Sequence, residues 1–412
     1  MQLKIEQFGK IKKAEIDLEG LTVITGQNDT GKSTVGKILF WLINELNNYK
    51  DTSEKFIVSQ FENSISTTLP YLARKDYPLP KDLKDYISNT NSNSITASIL
   101  ENKPLNPQNA DIRSLAKQLI SFIEEKNLTA DDVLKDDYEF IKIFINADIK
   151  QQLLLALLLN SPKIFKRNLN NSVNTKSSAS IKLSIKDIEI LSISIKEDMP
   201  SIENFNQEKI NLLWKNVDFI ESPLMIDTNS LKKIWEEKFL NRMFNIDEEN
   251  FEISKELIPT AADIAIDKKS KSINYKIGKD AKKLHMFNTA SGAKSFIILS
   301  ILEKLGNFKT DSITVFDEPE NHLHPEWQIR YAELLIEFIK KGANIVLTSH
   351  SPYLIQGLIH YAKNKKLPEE KFRLLLAEKE NEENWSVLKD VTKTPNKIFQ
   401  LLDEPLVKVF ES

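Results

Sequence analysis

Apolar and polar positions in the first part of the chain alternate as in strands and then take up a helical spacing. Every second residue from Ala14 to Leu18 is apolar, and a nearly continuous apolar, β-branched run follows at 21–25. Both patterns predict β-strands, and residues 3–8 predict another. From Thr34 to Asn47 apolar residues recur at the spacing of an amphipathic helix. The chain is therefore predicted to begin as strands, a loop and a helix.

The second half of the chain predicts an α/β fold. Alternation predicts hairpins at 179–195 and 263–277 and a short strand at 217–220. The further predicted elements are helices at 291–305, 326–341, 352–363 and 395–402 and strands at 312–316, 344–348, 372–377 and 385–388. Strands that alternate with helices predict a parallel core sheet.

Residues 48–165 differ from both flanks because they are polar and rich in Asn, Ser and Lys. Helical spacing occurs at 112–124 and 140–159, but no heptad pattern persists, so a long coiled coil is not predicted. We expect a helical insertion here, between segments 1–47 and 166–412 of one larger domain. Its role as a spacer or as a docking surface stays open.

Composition narrows the class of protein. The chain has 412 residues, 41% hydrophobic and 28% charged, with a net charge of −3, which gives no overall attraction to nucleic acid or membranes. The absence of cysteine excludes disulfides, Cys-ligated zinc and a thiol nucleophile. No apolar run approaches the roughly 18 residues of a membrane span, and the first residues read as a strand. A cytoplasmic protein is expected.

A phosphate-binding loop lies between the predicted strand at 21–25 and the helix that follows. Residues 26–34 read G-Q-N-D-T-G-K-S-T and match the pattern G-x-x-x-x-G-K-[ST] in full. Backbone N–H groups of such a loop face a phosphate, and the helix adds the positive end of its dipole. Lys32 is predicted to reach the β- and γ-phosphates, and Ser33 to ligate Mg²⁺. The predicted nucleotide-binding residues are Gly26, Asn28, Thr30, Gly31, Lys32, Ser33 and Thr34.

Two later strands end in residues suited to nucleotide hydrolysis. The strand at 312–316 ends in Asp317, a candidate Mg²⁺ ligand, and Glu318, a candidate for activating the attacking water. The strand at 344–348 is followed by His350, which can hydrogen-bond the γ-phosphate. Lys32, Glu318 and His350 are therefore the candidate catalytic residues, and Ser33 and Asp317 the candidate metal ligands.

A fourth motif, N-T-A-S-G-A-K-S at 288–295, opens the helix predicted at 291–305. Taken alone, Ser291 is an ordinary helix cap. Taken with the other motifs, Ser291 and the Gly292 N–H form a second phosphate-binding helix end.

The order of a Walker A loop, a Ser-Gly signature, an Asp-Glu Walker B and a switch His resembles an ABC-class ATPase head. The stretch D-E-P-E-N-H-L-H-P at 317–325, followed by T-S-H-S-P, resembles the RecF/OLD-like AAA ATPases. The resemblance covers 1–47 and 215–360. It implies ATP hydrolysis with Mg²⁺ in a P-loop NTPase fold, with a parallel core sheet plus an antiparallel β subdomain. The stretch F-G-K-I-K at 8–12 resembles a small β-motif of the same heads, whose basic residue approaches the α-phosphate.

The resemblance further implies a homodimer with two ATP molecules sandwiched between heads. Ser291, Gly292 and Lys294 of one subunit then contact the γ-phosphate that Lys32 of the other holds, and 319–325 crosses the interface. The glutamine that usually contacts Mg²⁺ in such heads is not assigned, and the open candidates are Gln60, Gln152, Asn168, Asn170 and Asn171.

Departures from related families limit the function. Ala293 and Lys294 follow Ser-Gly at the positions where transporters usually have Gly-Gln, which disfavours a transporter. Residues 353–412 are too few for the Toprim nuclease of OLD proteins, so such a domain is not expected. His322 and His324 have an i, i+2 spacing without a third ligand nearby, so an interface loop is the better interpretation. The acidic run Glu378, Glu380, Glu382 and Glu383 is interpreted as a solvated turn.

The leading hypothesis is an ATP-hydrolysing dimeric switch that acts through a partner effector. Proteins of this shape often belong to bacterial anti-phage defence or DNA maintenance systems. One alternative is a RecF-like DNA-binding repair ATPase, with Lys163, Lys166 and Arg167 as a basic cluster. Another is an ATP-gated, non-hydrolytic scaffold that sequesters an effector through 48–165.

Overall fold

The computed structural model describes residues 1–74, nearly all of 291–411 and part of the chain between them. The described residues are 1–74, 80–81, 110–126, 138–139, 142–143, 145–166, 169, 178–222, 233–245, 262–267, 272–277, 284–285, 291–380 and 385–411. The chain forms two compact units, one made of Met1–Asn47 with Leu158–Ser412 and the other of Asn48–Leu157. The first unit contains all the motifs named above.

Strands and helices of the first unit alternate along the chain after residue 291, as the sequence pattern predicts. The strands are β1 Gln2–Phe8, β2 Ile11–Asp17, β3 Leu21–Gly26, β4 Ala179–Ile185, β5 Ile188–Lys196, β6 Met199–Phe205, β7 Asn216–Ile220, β8 Ala262–Asp267, β9 Ser272–Ile277, β10 Leu284–His285, β11 Ser312–Asp317, β12 Asn344–Ser349, β13 Phe372–Lys379 and β14 Ser386–Asp390. The helices are α1 Lys32–Arg74, α2 Ala110–Glu125, α3 Ile149–Phe165, α4 Ile234–Phe244, α5 Ser291–Lys304, α6 Pro325–Lys340, α7 Pro352–Asn364 and α8 Asn396–Glu411. Short 3₁₀ turns lie at Gln207–Leu212 and Glu369–Lys371.

One large sheet carries the motifs. Its strand order among the described residues is β6-β5-β4-β1-β2-β14-β13-β3-β12-β11-β7. The five strands from β13 to β7 pair in parallel, whereas β6-β5-β4-β1-β2 pair antiparallel. A parallel β2–β14 contact joins the two parts. The predicted α/β P-loop architecture is confirmed, and its antiparallel part continues the core sheet. β8, β9 and β10 form a separate antiparallel sheet.

The central strands are covered on both faces, which explains their continuous apolar runs. Every residue of β3, β11 and β12 is buried. Tyr331 of α6 is also fully buried, and its ring packs edge-on against Phe296 of α5 and Phe316 of β11, with centroids 5.6 and 6.2 Å apart. Aromatic contacts of this geometry fix how the two helices lie against the strands that end in the candidate site.

Several element bounds differ from the predictions. α1 begins at Lys32 and continues to Arg74, well beyond the predicted end at 47, and α8 reaches Glu411, beyond 402. α3 spans Ile149–Phe165, where the sequence predicted a helix at 140–159. β6 was not predicted because its sequence, M-P-S-I-E-N-F, contains a proline and only one β-branched residue, although its burial alternates over the first five residues. Among the described helices, none combines the length and apolar character that a membrane span requires.

Candidate nucleotide-binding site

The phosphate loop leaves β3 between two parallel neighbours, β12 and β13. Gly26 has φ 139°, and a Cβ atom there would lie 2.3 Å from the Ala377 carbonyl oxygen of β13. A side chain at this position is therefore excluded by both conformation and space. The turn continues with Thr30, whose hydroxyl donates to the Gln27 carbonyl at 2.9 Å, and α1 begins directly after Gly31. The loop thus has the tight curl that its sequence predicts.

Lys32 lies over the loop that precedes it. Its Nζ donates to the carbonyl oxygens of Gly26 and Gln27 at 3.0 and 2.8 Å, and the side chain is almost fully buried. Burial lowers the pKa of the Lys32 ammonium, while the nearby Glu318 and Asp317 carboxylates oppose that shift. The charge of Lys32 is therefore held at the point where the loop meets the ends of β11 and β12.

Asp317 ends β11 beside the phosphate loop, and its carboxylate accepts hydrogen bonds from Thr348 Oγ1 and from the Ser33 side chain. It is 7% exposed. Burial raises the pKa of Asp317, and the two hydroxyl donors partly offset this. A carboxylate and a hydroxyl in contact at a buried phosphate loop form the hard oxygen donor set that Mg²⁺ takes together with nucleotide phosphates. The residues present therefore fit Mg²⁺.

Glu318 and His350 meet across the ends of β11 and β12. The strands pair in parallel with Asp317 opposite Thr348, so both loops leave the same sheet edge. His350 Nδ1 lies 3.3 Å from Glu318 Oε1. Glu318 has φ 50°, and its N–H donates to the carbonyl and the hydroxyl of Thr348, both at 3.1 Å. A left-handed non-glycine residue at the predicted catalytic position is the kind of strain found at functional sites.

The signature residues lie at the first turn of α5, next to the loop before α6. A Cβ atom on Gly292 would lie 3.1 Å from the His322 carbonyl oxygen. Ser291 is partly exposed, but Lys294 is 3% exposed. A contact between Lys294 and a partner's phosphate therefore requires its side chain to move. The preceding signature residues Asn288, Thr289 and Ala290 lie outside the described residues.

The turn between β1 and β2 borders the phosphate loop. Lys10, in this turn, forms an ion pair with Asp29 of the loop, which has φ 65°. This pairing lowers the pKa of Asp29. Lys10 therefore lies beside the phosphate loop. The remaining predicted loop residues are Asn28, which is exposed, and Thr34, whose N–H donates to the Gly31 carbonyl at 3.1 Å.

The structure describes two of the five candidates for the open glutamine position. Gln60 and Gln152 both lie within helices, α1 and α3, and not at the end of a strand. Asn168, Asn170 and Asn171 lie outside the described part of the chain. The residue that follows β7, the strand next to β11, is Glu221. It pairs with Lys233 and, at 3.8 Å, with Lys37 of α1.

Three residues with roles at this edge were not assigned from sequence: Thr348, Glu320 and Glu221. Thr348 and Glu320 belong to motifs that were recognised, but their partners lie across neighbouring strands. Glu221 follows a buried strand next to Walker B, and that position is the signal that could have identified it. In the ranges that the structure covers, no cluster of three or more His, Asp or Glu side chains has the arrangement of a metal site, and His324 is instead the N-cap of α6. Lys163 and Lys166 are exposed at the end of α3, and Arg167 is not described.

The fold and the site define a P-loop ATPase. Residues 1–355 match the AAA ATPase domain family, and the chain belongs to that family. This agrees with the predicted resemblance to an ABC-class ATPase of the AAA group. No curated protein sequence matches the chain significantly.

SMC heads are among the solved structures that the chain matches, with TM-scores below 0.5. The SMC head bound to the C-winged helix domain of ScpA has a TM-score of 0.45 and 15% identity, covering 96% of this chain and 98% of that one. The SMC head domain from Thermotoga maritima has a TM-score of 0.39 and 12% identity, with 95% and 98% covered. The Smc head with an extended coiled coil from Pyrococcus furiosus, bound to the C-terminal domain of ScpA, has a TM-score of 0.44 and 12% identity, with 98% of both chains covered.

Proposed function

We propose that this chain is an ATP-driven switch: it binds Mg·ATP at the phosphate loop, closes with a second copy around two nucleotides and reopens after hydrolysis. The observation that carries this proposal is the convergence of Lys32, Asp317, Glu318 and His350 at one sheet edge, with Glu318 and His350 only 3.3 Å apart. This arrangement combines phosphate binding with a base for water, which a binding module alone does not need.

The side chains suggest a division of roles during hydrolysis. Lys32 neutralises the phosphates, and Ser33 and Asp317 hold Mg²⁺, which supplies further charge neutralisation at the phosphate oxygens when bound. Glu318 is partly exposed and orients the attacking water and accepts its proton. His350, also partly exposed, donates to the γ-phosphate and faces Glu318. Loss of the γ-phosphate then removes the partner of His350.

The dimer is proposed because the signature residues form a second phosphate-binding surface. Ser291 opens a 14-residue helix, α5, whose first N–H groups point toward the helix end. Gly292 lies against the 319–325 loop, so both predicted interface segments share one surface. Nucleotide that binds between two such surfaces favours the dimer by mass action.

The test compares wild type with Glu318→Gln, with and without Mg·ATP, by light scattering and by phosphate release. Glu318→Gln keeps the hydrogen bonds of its own backbone N–H and an oxygen that can accept from Asn321, but it removes the base, so we expect a stable ATP-bound dimer of twice the mass and no phosphate release. Wild type is expected to release phosphate and to dimerise transiently.

Two controls sharpen the interpretation. Lys32→Met should neither bind ATP nor dimerise, whereas Glu337→Gln, on the far end of α6 in an ion pair with Lys365 at 2.5 Å, should behave as wild type. A Glu318→Gln variant that stays monomeric with saturating Mg·ATP would show that the sandwich is wrong. A large assembly without nucleotide would indicate a constitutive scaffold.

The resemblance to RecF/OLD-like ATPases supports a place for this switch in bacterial anti-phage defence or DNA maintenance, with the output passed to a partner effector. Genetic deletion followed by phage challenge and DNA-damage survival separates these two settings. An unchanged phenotype in both would contradict this part of the proposal.

A further inference from the structure

Glu318 and Glu320 lie two residues apart in the turn after β11 but in different environments. The side chain of Glu318 is 29% exposed at the site, whereas that of Glu320 is 4% exposed. The chain reverses here because Glu318 is left-handed, and the Asn321 and Leu323 N–H groups donate back to the carbonyls of Glu318 and Glu320 at 3.1 and 2.9 Å. The reversal directs Glu320 into the protein, toward the end of β12.

One oxygen of Glu320 accepts three hydrogen bonds from the segment that carries His350. Glu320 Oε1 accepts from Ser349 Oγ at 2.7 Å, from the His350 N–H at 2.9 Å and from the Ser351 N–H at 3.2 Å. β12 ends at Ser349 and α7 begins at Pro352, so the amides between them leave the sheet ladder before the helix starts. Glu320 supplies the acceptor that these buried donors need.

A carboxylate is well suited to this position. Its negative charge lies at the first turn of α7, a 13-residue helix whose N-terminus favours anions. Burial raises the pKa of Glu320, and the hydrogen bonds from Ser349 and the His350 amide oppose the shift. An apolar side chain of the same size would leave the Ser349 hydroxyl and the His350 N–H without this acceptor, which is costly in a buried segment, whereas the Ser351 N–H would keep Ser349 Oγ at 3.1 Å.

These hydrogen bonds fix the backbone position from which the His350 imidazole projects. Its backbone N–H is tied to Glu320, while Nδ1 lies 3.3 Å from Glu318 Oε1 and 3.8 Å from Glu320 Oε1. In the other direction, the Glu318 N–H is tied to Thr348 of β12. The turn after β11 is thus hydrogen-bonded to the end of β12 through both Glu318 and Glu320. The side chains of Glu318 and His350 face each other beside these hydrogen bonds.

We propose that Glu320 is a positioning residue for ATP hydrolysis: it aligns His350 with Glu318 by binding the Ser349–Ser351 segment and does not itself touch the nucleotide. The proposal rests on the proposed function only in that His350 and Glu318 act on ATP. The alignment itself can be measured without added nucleotide.

The kinetic test is a double-mutant cycle. Glu320→Ala should lower kcat about 10- to 100-fold with KM nearly unchanged, as expected for loss of a residue that orients a catalytic group. Glu320→Gln retains an acceptor at Oε1 and should recover most of the activity. Because Glu320 acts through His350, Glu320→Ala should have almost no further effect in a His350→Ala background. An equal loss of kcat in both backgrounds would show a purely structural role and overturn the proposal.

A second measurement uses the protein without nucleotide. The chain has five histidines, so His350→Ala assigns the His350 imidazole signal by NMR. We expect Glu318→Gln to shift that signal in the wild-type background but not in the Glu320→Ala background, with Glu337→Gln as the silent control. A shift of the same size in both backgrounds overturns the proposal.

The same design distinguishes a folding defect in a variant from failure of the proposed function. If Glu320→Ala does not fold, Ser349→Ala removes one of the three donors, leaves both backbone donors, and takes its place in the cycle. If wild type does not hydrolyse ATP, the proposed function fails, and the NMR measurement still decides whether Glu320 aligns His350.

Discussion

Thr348→Val is the substitution that most directly tests how the site is held together. Thr348 is fully buried on β12, donates its hydroxyl hydrogen to Asp317 Oδ1 and accepts the Glu318 N–H at 3.1 Å. Valine has nearly the same shape but can do neither. The change therefore removes a polar link between Asp317, the proposed metal ligand, and Glu318, the proposed catalytic base, without creating a cavity.

The expected magnitude follows from the partners that remain. Asp317 loses a charge-assisted hydrogen bond in a buried setting, which is worth about 2 kcal/mol. The Glu318 N–H retains the Thr348 carbonyl at 3.1 Å, so it adds little to the loss. Because Asp317 then lacks one of the two groups that orient it, we expect the affinity for Mg²⁺ to fall by about 10- to 100-fold. ATP hydrolysis should then need a correspondingly higher Mg²⁺ concentration.

In the full chain, tryptophan fluorescence can follow the unfolding of the first unit separately. All five tryptophans lie in 1–47 and 158–412, so their fluorescence during urea unfolding reports that unit. The matched control is Thr25→Val: Thr25 is also fully buried, on neighbouring β3, but its Oγ1 has no hydrogen-bond partner among the described residues. We expect this control to be neutral or stabilising, and Thr348→Ser to retain most of the wild-type behaviour.

The reasoning is refuted if Thr348→Val and Thr25→Val unfold at the same urea concentration and hydrolyse ATP with the same Mg²⁺ dependence. That result would mean that the hydroxyl link contributes nothing to the site.

Two other substitutions test charges on α1 and the phosphate loop. Glu45 is buried, its Oε1 accepts from Asn44 and Asn160 at 2.9 and 3.0 Å, and burial raises its pKa. The stabilisation that the neutral Glu45 carboxyl group gives to the folded state is therefore fully present below its unfolded pKa of about 4.5, and it is lost as pH rises through the folded pKa. Glu45→Gln should accordingly stabilise the protein at pH 8 by on the order of 1 kcal/mol and have little effect at pH 4.5 in thermal unfolding; equal effects at both pH values would contradict this. Asp29→Asn releases Lys10 from its exposed ion pair, so ATP affinity should rise about two- to fivefold at low salt and return to the wild-type value at high salt, by titration with a fluorescent ATP analogue. An increase that persists at high salt would exclude the electrostatic explanation.

The sequence predicted the motifs and most of the core elements because each depends on local chemistry. A glycine-framed loop between a buried strand and a helix, or an acid pair at a strand end, reads from neighbouring residues alone. The same holds for β11 and β12, whose buried runs predicted their bounds to within a residue. Where local signals were weak, as along α1 beyond residue 47 and at β6, the prediction was short or missing.

Only the tertiary structure decided which side chains meet across strands. Thr348 reaches Asp317, and Glu320 reaches the backbone of His350, because β11 and β12 are parallel neighbours in a defined register. Sequence spacing does not contain that register, since it depends on how the strands order within the sheet. The sequence therefore determined which chemical groups are present, and the packing of the sheet determined which of them orient one another.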